Sequence, residues 1–121
     1  MRKTYNVNEI FFSLQGEGRN TGRCAVFIRF SGCNLKCSFC DTDFKSYREM
    51  TVDDIISAIS KWKKAGFVVL TGGEPTLQVD DKLIDALHAS GFYVAMESNG
   101  TRVPPQNLDW LTVSPKGPVV V

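Results

Sequence analysis

Short apolar runs recur along the chain, each ending in a polar, glycine-containing loop, with two amphipathic stretches between them. Cys24-Ala25-Val26-Phe27-Ile28-Arg29-Phe30 reads as a strand that runs into Ser31-Gly32-Cys33. Phe67-Val68-Val69-Leu70 reads as a buried strand leading into Thr71-Gly72-Gly73-Glu74-Pro75. Tyr93–Glu97 leads into Ser98-Asn99-Gly100, and Leu111–Val113 into Ser114-Pro115-Lys116-Gly117. Of the amphipathic stretches, the first opens at Thr51, an N-cap with Asp54 three residues on, and sets Val52, Ile55, Ile56, Ile59 and Trp62 on one helical face. Lys63 and Lys64 suit its C-terminal end, and Gly66 stops it in a left-handed conformation. The second helix starts near Asp80, turns Leu83, Ile84 and Leu87 inward and stops at Gly91.

Strands alternating with helices of this length predict βα units and a parallel sheet, an α/β fold. Ligands of such sheets bind where the βα loops gather, at the carboxyl ends of the strands. Every glycine-polar loop named above falls at such an end, so these loops should converge on one site. Four strands fall short of a closed architecture, and Gly117-Pro118-Val119-Val120-Val121 adds no closing helix. The expectation is a chain lacking its C-terminal units, or one whose sheet edge a partner covers.

Composition narrows the class. A chain of 121 residues with 43% hydrophobic and 22% charged residues is one globular domain. Its net charge of +1 calls for neither nucleic acid nor an anionic membrane. No apolar run is long enough to span a bilayer, and Met1–Asn6 lacks a signal-peptide core, so the expected location is cytoplasmic. In that reducing compartment four cysteines point to metal ligation or reactive thiols rather than disulfides. The glycosylation sequon Asn99-Gly100-Thr101 carries no weight there.

Three of those thiols lie in Cys33-Asn34-Leu35-Lys36-Cys37-Ser38-Phe39-Cys40, just past a strand. Such a set can take three corners of a 4Fe–4S cubane and leave the fourth iron open to a substrate. The alternative is zinc, completed by Cys24 or His88, but zinc usually draws on separated Cys-x-x-Cys pairs. Cys24, at a strand start, is expected to be a small buried thiol, and His88 a partly exposed helix residue.

The Cys-x-x-x-Cys-x-x-Cys pattern with Phe39 before the last cysteine resembles the radical S-adenosylmethionine (SAM) superfamily. Gly72-Gly73-Glu74-Pro75 is similar to its second motif, whose backbone and glutamate hold the SAM amino group. Ser13-Leu14-Gln15-Gly16-Glu17-Gly18, Phe27-Ile28-Arg29-Phe30, Cys40-Asp41-Thr42 and Ser114-Pro115-Lys116 together resemble the 7-carboxy-7-deazaguanine synthase family, from about Glu9 to Lys116. The resemblance implies that residues 1–121 are a single radical SAM domain, a partial (β/α) barrel shortened at its C-terminus. It implies a cluster on Cys33, Cys37 and Cys40, and SAM held by Phe39, Cys40, Asp41, Gly73, Glu74, Ser114, Pro115 and Lys116. Magnesium falls to Thr42, and the substrate to Leu14, Gln15, Gly16, Arg29 and Thr71. From the residues alone Gly16-Glu17-Gly18 is equally a plain turn, and Thr42 a loop threonine. Arg29, a charge in an apolar strand, needs an anionic partner, either a structural salt bridge or a substrate carboxylate. Ser98-Asn99-Gly100 should line the pocket without an assigned role.

The implied reaction is the conversion of 6-carboxy-5,6,7,8-tetrahydropterin to 7-carboxy-7-deazaguanine with loss of ammonia, in queuosine and deazapurine synthesis. SAM cleavage to a 5′-deoxyadenosyl radical starts it, and SAM is regenerated. The resemblance further implies a flavodoxin-like or ferredoxin-like electron donor, a homodimer, and no direct contact with nucleic acid or membrane. Two alternatives share the cysteines: a radical SAM activase acting on a protein glycine, and a non-enzymatic zinc or iron–sulfur module. Leu14-Gln15-Gly16-Glu17-Gly18 and Thr42 speak against the activase.

Overall fold

Six strands form one mixed sheet in the order β3-β1-β2-β4-β5-β6 in the computed structural model, which describes residues 3–14, 24–31, 47–72, 74–98, 100 and 104–113. The strands are β1 (Tyr5–Leu14), β2 (Cys24–Phe30), β3 (Arg48–Met50), β4 (Phe67–Gly72), β5 (Tyr93–Ser98) and β6 (Trp110–Val113). Helix α1 (Val52–Ile59) continues into a 3-10 turn, Ser60–Ala65; a short turn, Pro75–Leu77, precedes helix α2 (Asp81–Ala89). The four strands expected from the sequence are the parallel ones, β2-β4-β5-β6. The other two, β1 and β3, pair antiparallel and extend the sheet beyond β2.

The missed strand β1 carries an irregularity that hides it. Its register against β2 shifts between Val7 and Glu9, which leaves Asn8 as an extra residue. A bulge of this kind reverses the parity of a strand. Tyr5 and Val7 therefore pack on the same face as Ile10 and Phe12, and no period-two pattern spans the ten residues. Missing β3 has a simpler cause. Three residues carry too little pattern to read; Met50, opposite Tyr5, is buried in the core of the helix-covered face.

Helices cover one face of the sheet. There Val26, Ile28, Phe30, Val68, Leu70, Val94 and Met96 meet Ile55 and Ile59 of α1 and Leu83, Ile84 and Leu87 of α2. Both helices start where the sequence reading puts them. Thr51 caps α1 in a reciprocal box with Asp54, and the Asp80 carboxylate accepts from the Leu83 N–H. α1 is shorter than expected, because regular helix gives way to 3-10 geometry at Ser60 and Trp62 departs from helical angles. Gly66 does close the segment at φ 66°, as the pattern requires. The opposite face carries Ala25, Phe27, Phe67, Val69 and Ala95, flanked by Phe11, Tyr93 and Trp110. No helix packs there among the described residues. One covered face and one open face give the sheet the form of a wall of a (β/α) barrel.

Gly72 closes β4 at φ 140°, and a side chain there would collide with the backbone of Phe30. Its missing Cβ lets the carboxyl ends of β2 and β4 lie against each other, in the register Phe30–Gly72.

Candidate active site

Period-two alternation continues along the open face until apolar residues give way to polar ones. The last such position of β2 is Arg29, of β4 Thr71, of β5 Glu97 and of β6 Thr112. Pairing sets them side by side, with Arg29 opposite Thr71 and Glu97 opposite Thr112. The bulge in β1 adds Glu9 opposite Arg29. The result is a polar row, Glu9–Arg29–Thr71–Glu97–Thr112, across five strands on the face away from the helices.

Its members are already linked. Arg29 Nη1 reaches Glu9 Oε1 at 3.2 Å, and the guanidinium lies 5.3 Å from the Phe11 ring centroid. Thr71 donates to Glu97 Oε1 at 3.1 Å, and the Trp110 indole N–H to Thr112 Oγ1 at 3.2 Å. The Arg29 side chain is 40% exposed, so its charge is not buried as the apolar strand suggested. It stands near the end of β2 on the uncovered face, where a salt bridge to Glu9 suffices.

Glu74 behaves in the opposite way. It is fully buried, and its Oε2 accepts from the Thr76 N–H at 3.0 Å, the Thr76 hydroxyl, and Ser98 Oγ at 2.9 Å. Ser98 Oγ in turn accepts from the Gly100 N–H at 3.1 Å. One carboxylate thus ties the turn after β4 to the loop after β5, and gives Ser98 and Gly100 a role that sequence alone did not supply.

Of the expected residues, the sheet sets Arg29 beside Thr71 on the open face, while Glu74, in the turn after β4, is buried against Thr76 and Ser98. Leu14 is not among them. It closes β1 opposite Cys24, at the other end of β2 from Arg29. Cys33, Cys37, Cys40, Phe39, Asp41, Thr42, Gln15, Gly16, Gly73, Asn99, Ser114, Pro115 and Lys116 lie outside the described residues. Cys24, expected to be buried, is exposed, since it opens β2 before the packed part of the strand begins. It also stands roughly 20 Å along β2 from Phe30, at about 3.3 Å per residue. His88 sits on α2 with Nε2 2.7 Å from Asp109 Oδ2, which also accepts from the Val94 N–H at 2.7 Å. Among the described residues no three His, Cys, Asp or Glu gather to hold an ion. Glu9, Glu97 and Thr112 were missed because only cross-strand register reveals them; for Glu97 the polar end of an alternating strand was the available signal.

The loop anchors fit an iron–sulfur group. In sequence the three-thiol segment begins two residues past Ser31, and thiolates at this spacing are a cubane donor set. The sequence model of the radical SAM superfamily matches residues 27–114, from within β2 to just past β6. A 7-carboxy-7-deazaguanine synthase of Burkholderia multivorans is 47% identical, over 98% of this chain and 67% of its own length. The chain belongs to the radical SAM superfamily, in its 7-carboxy-7-deazaguanine synthase family. A relative of the same name from Bacteroides thetaiotaomicron is 61% identical over 116 residues, 96% of this chain and 62% of that protein. Another, from Bradyrhizobium diazoefficiens, is 48% identical over 94% of this chain and 64% of its own length. The chain thus spans somewhat under two thirds of these two relatives. The crystal structure of QueE from Escherichia coli superposes with a TM-score of 0.82 at 34% identity, covering 93% of this chain and 60% of that one. No helix among the described residues is long and apolar enough to cross a membrane.

Proposed function

We propose that this radical SAM chain carries the site of a lyase that converts 6-carboxy-5,6,7,8-tetrahydropterin to 7-carboxy-7-deazaguanine, releasing ammonia, in queuosine and 7-deazapurine synthesis. The supporting observation is the polar row, whose charge order suits this substrate. Arg29 offers a five-donor fork of which Glu9 engages one amino group, which leaves donors for a substrate carboxylate. Glu97, two strands away, is an acceptor matched to the amino and ring N–H donors of a pterin. Thr71, between them, holds Glu97 in place through its hydroxyl. The names of the relatives point the same way.

When bound, a 4Fe–4S cluster on Cys33, Cys37 and Cys40 supplies the electron that cleaves SAM. In this reading SAM lies against Phe39, Cys40, Asp41, Gly73 and Ser114 to Lys116, with the buried Glu74 behind the turn rather than on SAM itself, and magnesium against Thr42. The family resemblance assigns Leu14, Gln15 and Gly16 to the substrate as well. Glu74, held by Thr76 and Ser98, fixes the shape of the loop that meets SAM. The aromatic residues of the open face, Phe11, Phe27 and Trp110, exclude water beneath the polar row. A flavodoxin-like or ferredoxin-like donor, a homodimer and a cytoplasmic location complete the proposal; a cluster on thiolates suits a reducing compartment.

The test is anaerobic reconstitution with iron and sulfide, followed by assay with SAM, a reductant and the carboxypterin. The expected result is about four irons per chain and SAM-dependent formation of ammonia and 7-carboxy-7-deazaguanine. SAM cleavage unaffected by the pterin, with no deazaguanine formed, would point instead to an activase. Iron or zinc uptake without SAM cleavage would point to a binding module.

A further inference from the structure

Just before the cysteine segment the backbone is held by a side chain from a distant part of the chain. Gln78 closes the short turn after β4, and its carboxamide reaches across to the first strands of the sheet. Its Oε1 accepts from the Asn6 N–H at 2.6 Å, and its Nε2 donates to the Ser31 carbonyl at 2.7 Å. Ser31 N–H donates to the Asn6 carbonyl at 2.8 Å, and the Gln78 carbonyl accepts from Lys3 Nζ at 2.8 Å. The β1–β2 ladder ends at the pair Val7–Phe30, so this amide stands where the ladder runs out. A carboxamide is suited to the position because it presents one donor side and one acceptor side, as a peptide group does. Ser31 is almost fully buried, and a carbonyl there without its donor costs more than an exposed one.

We propose that Gln78 is a positioning residue for the iron–sulfur cluster: its carboxamide fixes where the Cys33–Cys40 segment leaves β2. Ser31 lies two residues before Cys33, and both its peptide N–H and its carbonyl are held in place. Gln78 also lies four residues past Glu74. One side chain therefore couples the Gly-Gly-Glu-Pro turn to the cysteine segment, the two parts that must agree if SAM is to meet an open iron. The inference rests on the cluster assignment above.

The deciding variant is Gln78→Glu, which has the same shape. It keeps an acceptor for the Asn6 N–H and replaces the donor to Ser31 with a carboxylate oxygen facing the carbonyl. Gln78→Leu, which removes both bonds without adding charge, is the second variant. Tyr5→Phe is the control: it loosens the same corner by removing a 2.7 Å bond to Asp80 but touches neither Ser31 nor Gln78. Each chain is reconstituted anaerobically, and iron release to a chelator, the electron paramagnetic resonance spectrum of the reduced cluster and the thermal midpoint of the iron-free chain are measured. Both Gln78 variants should lose iron about tenfold faster than wild type, the size of effect of one lost hydrogen bond, with an altered spectrum. Tyr5→Phe should lower the thermal midpoint and leave iron release unchanged. Wild-type release rates in both Gln78 variants would overturn the inference alone, as would equal acceleration in Tyr5→Phe, which would mean general loosening. A wild-type chain that takes up no iron would overturn the cluster assignment and this inference with it.

Discussion

Arg29 shows what a single residue discloses in sequence and what it withholds. A guanidinium inside Cys24–Phe30 announces that the strand faces something anionic, and the resemblance names a carboxylate substrate. Its nearest acidic neighbour, Glu9, could not be read, since it reaches Arg29 only because Asn8 shifts the register of β1. Gln78 and Ser98 were illegible for a related reason: their partners lie 47 and 24 residues away. With half-exposed partners, the Arg29–Glu9 pair contributes little to stability, on the order of 0–1 kcal/mol. Arg29→Lys keeps the charge and loses the planar fork. It should raise the carboxypterin concentration needed by roughly ten- to a hundredfold, the loss of one hydrogen bond to a charged group, and leave SAM binding and the thermal midpoint unchanged. A lowered midpoint with unchanged pterin affinity would make Arg29 a structural ion pair.

Helices were legible and antiparallel strands were not, and the difference is physical. A helix start is written in adjacent residues. Thr51 accepts from the Asp54 N–H at 3.2 Å and Asp54 accepts from the Thr51 N–H at 3.0 Å, so both partners of the box lie within four residues of sequence. A strand depends on its neighbours, and the parity reversal within β1 removes the local pattern that would betray it. Thr51→Ala should cost about 1 kcal/mol in urea denaturation. Because α1 packs on the face away from the polar row, pterin and SAM affinities should be unaffected. A fall in either affinity would mean that the two faces of the sheet are coupled.

At the scale of the whole chain the parallel order β2-β4-β5-β6 follows from the alternation of strands and helices, as expected. The corner where the first strand meets α2 makes stability depend on pH at both ends of the range. Burial alone would raise the Asp80 carboxyl, but bonds from Lys3, Tyr5 and the Leu83 N–H, with the Lys3 charge, hold it below its usual 3.8. Burial, the bond to Asp80 and the Asp80 charge push the Tyr5 phenol above its usual 10.0. The Asp80 contribution is therefore complete above 3.8 and lost as pH falls through its lowered value. The Tyr5 contribution is complete below 10.0 and lost as pH rises through its raised value. Urea midpoints of the iron-free chain should form a plateau between these limits and fall outside them. Asp80→Asn retains a good helix cap while removing the charge, so it should flatten the acid limb. An acid limb of unchanged steepness would place the responsible carboxylate elsewhere.

The chain has two tryptophans, and the sheet separates them. Trp62 stacks on Phe12 at the edge of the helix layer, while Trp110 stands on the open face with its indole bonded to Thr112. Each is thus a native fluorophore reporting from one side of a single wall. In Trp62→Phe protein all indole emission comes from the side of the polar row, and a bound pterin, which absorbs in the near ultraviolet, should quench it. In Trp110→Phe protein the remaining emission should follow urea unfolding of the helix layer and ignore the pterin. Quenching of equal depth in both would mean that the pterin binds somewhere other than the open face.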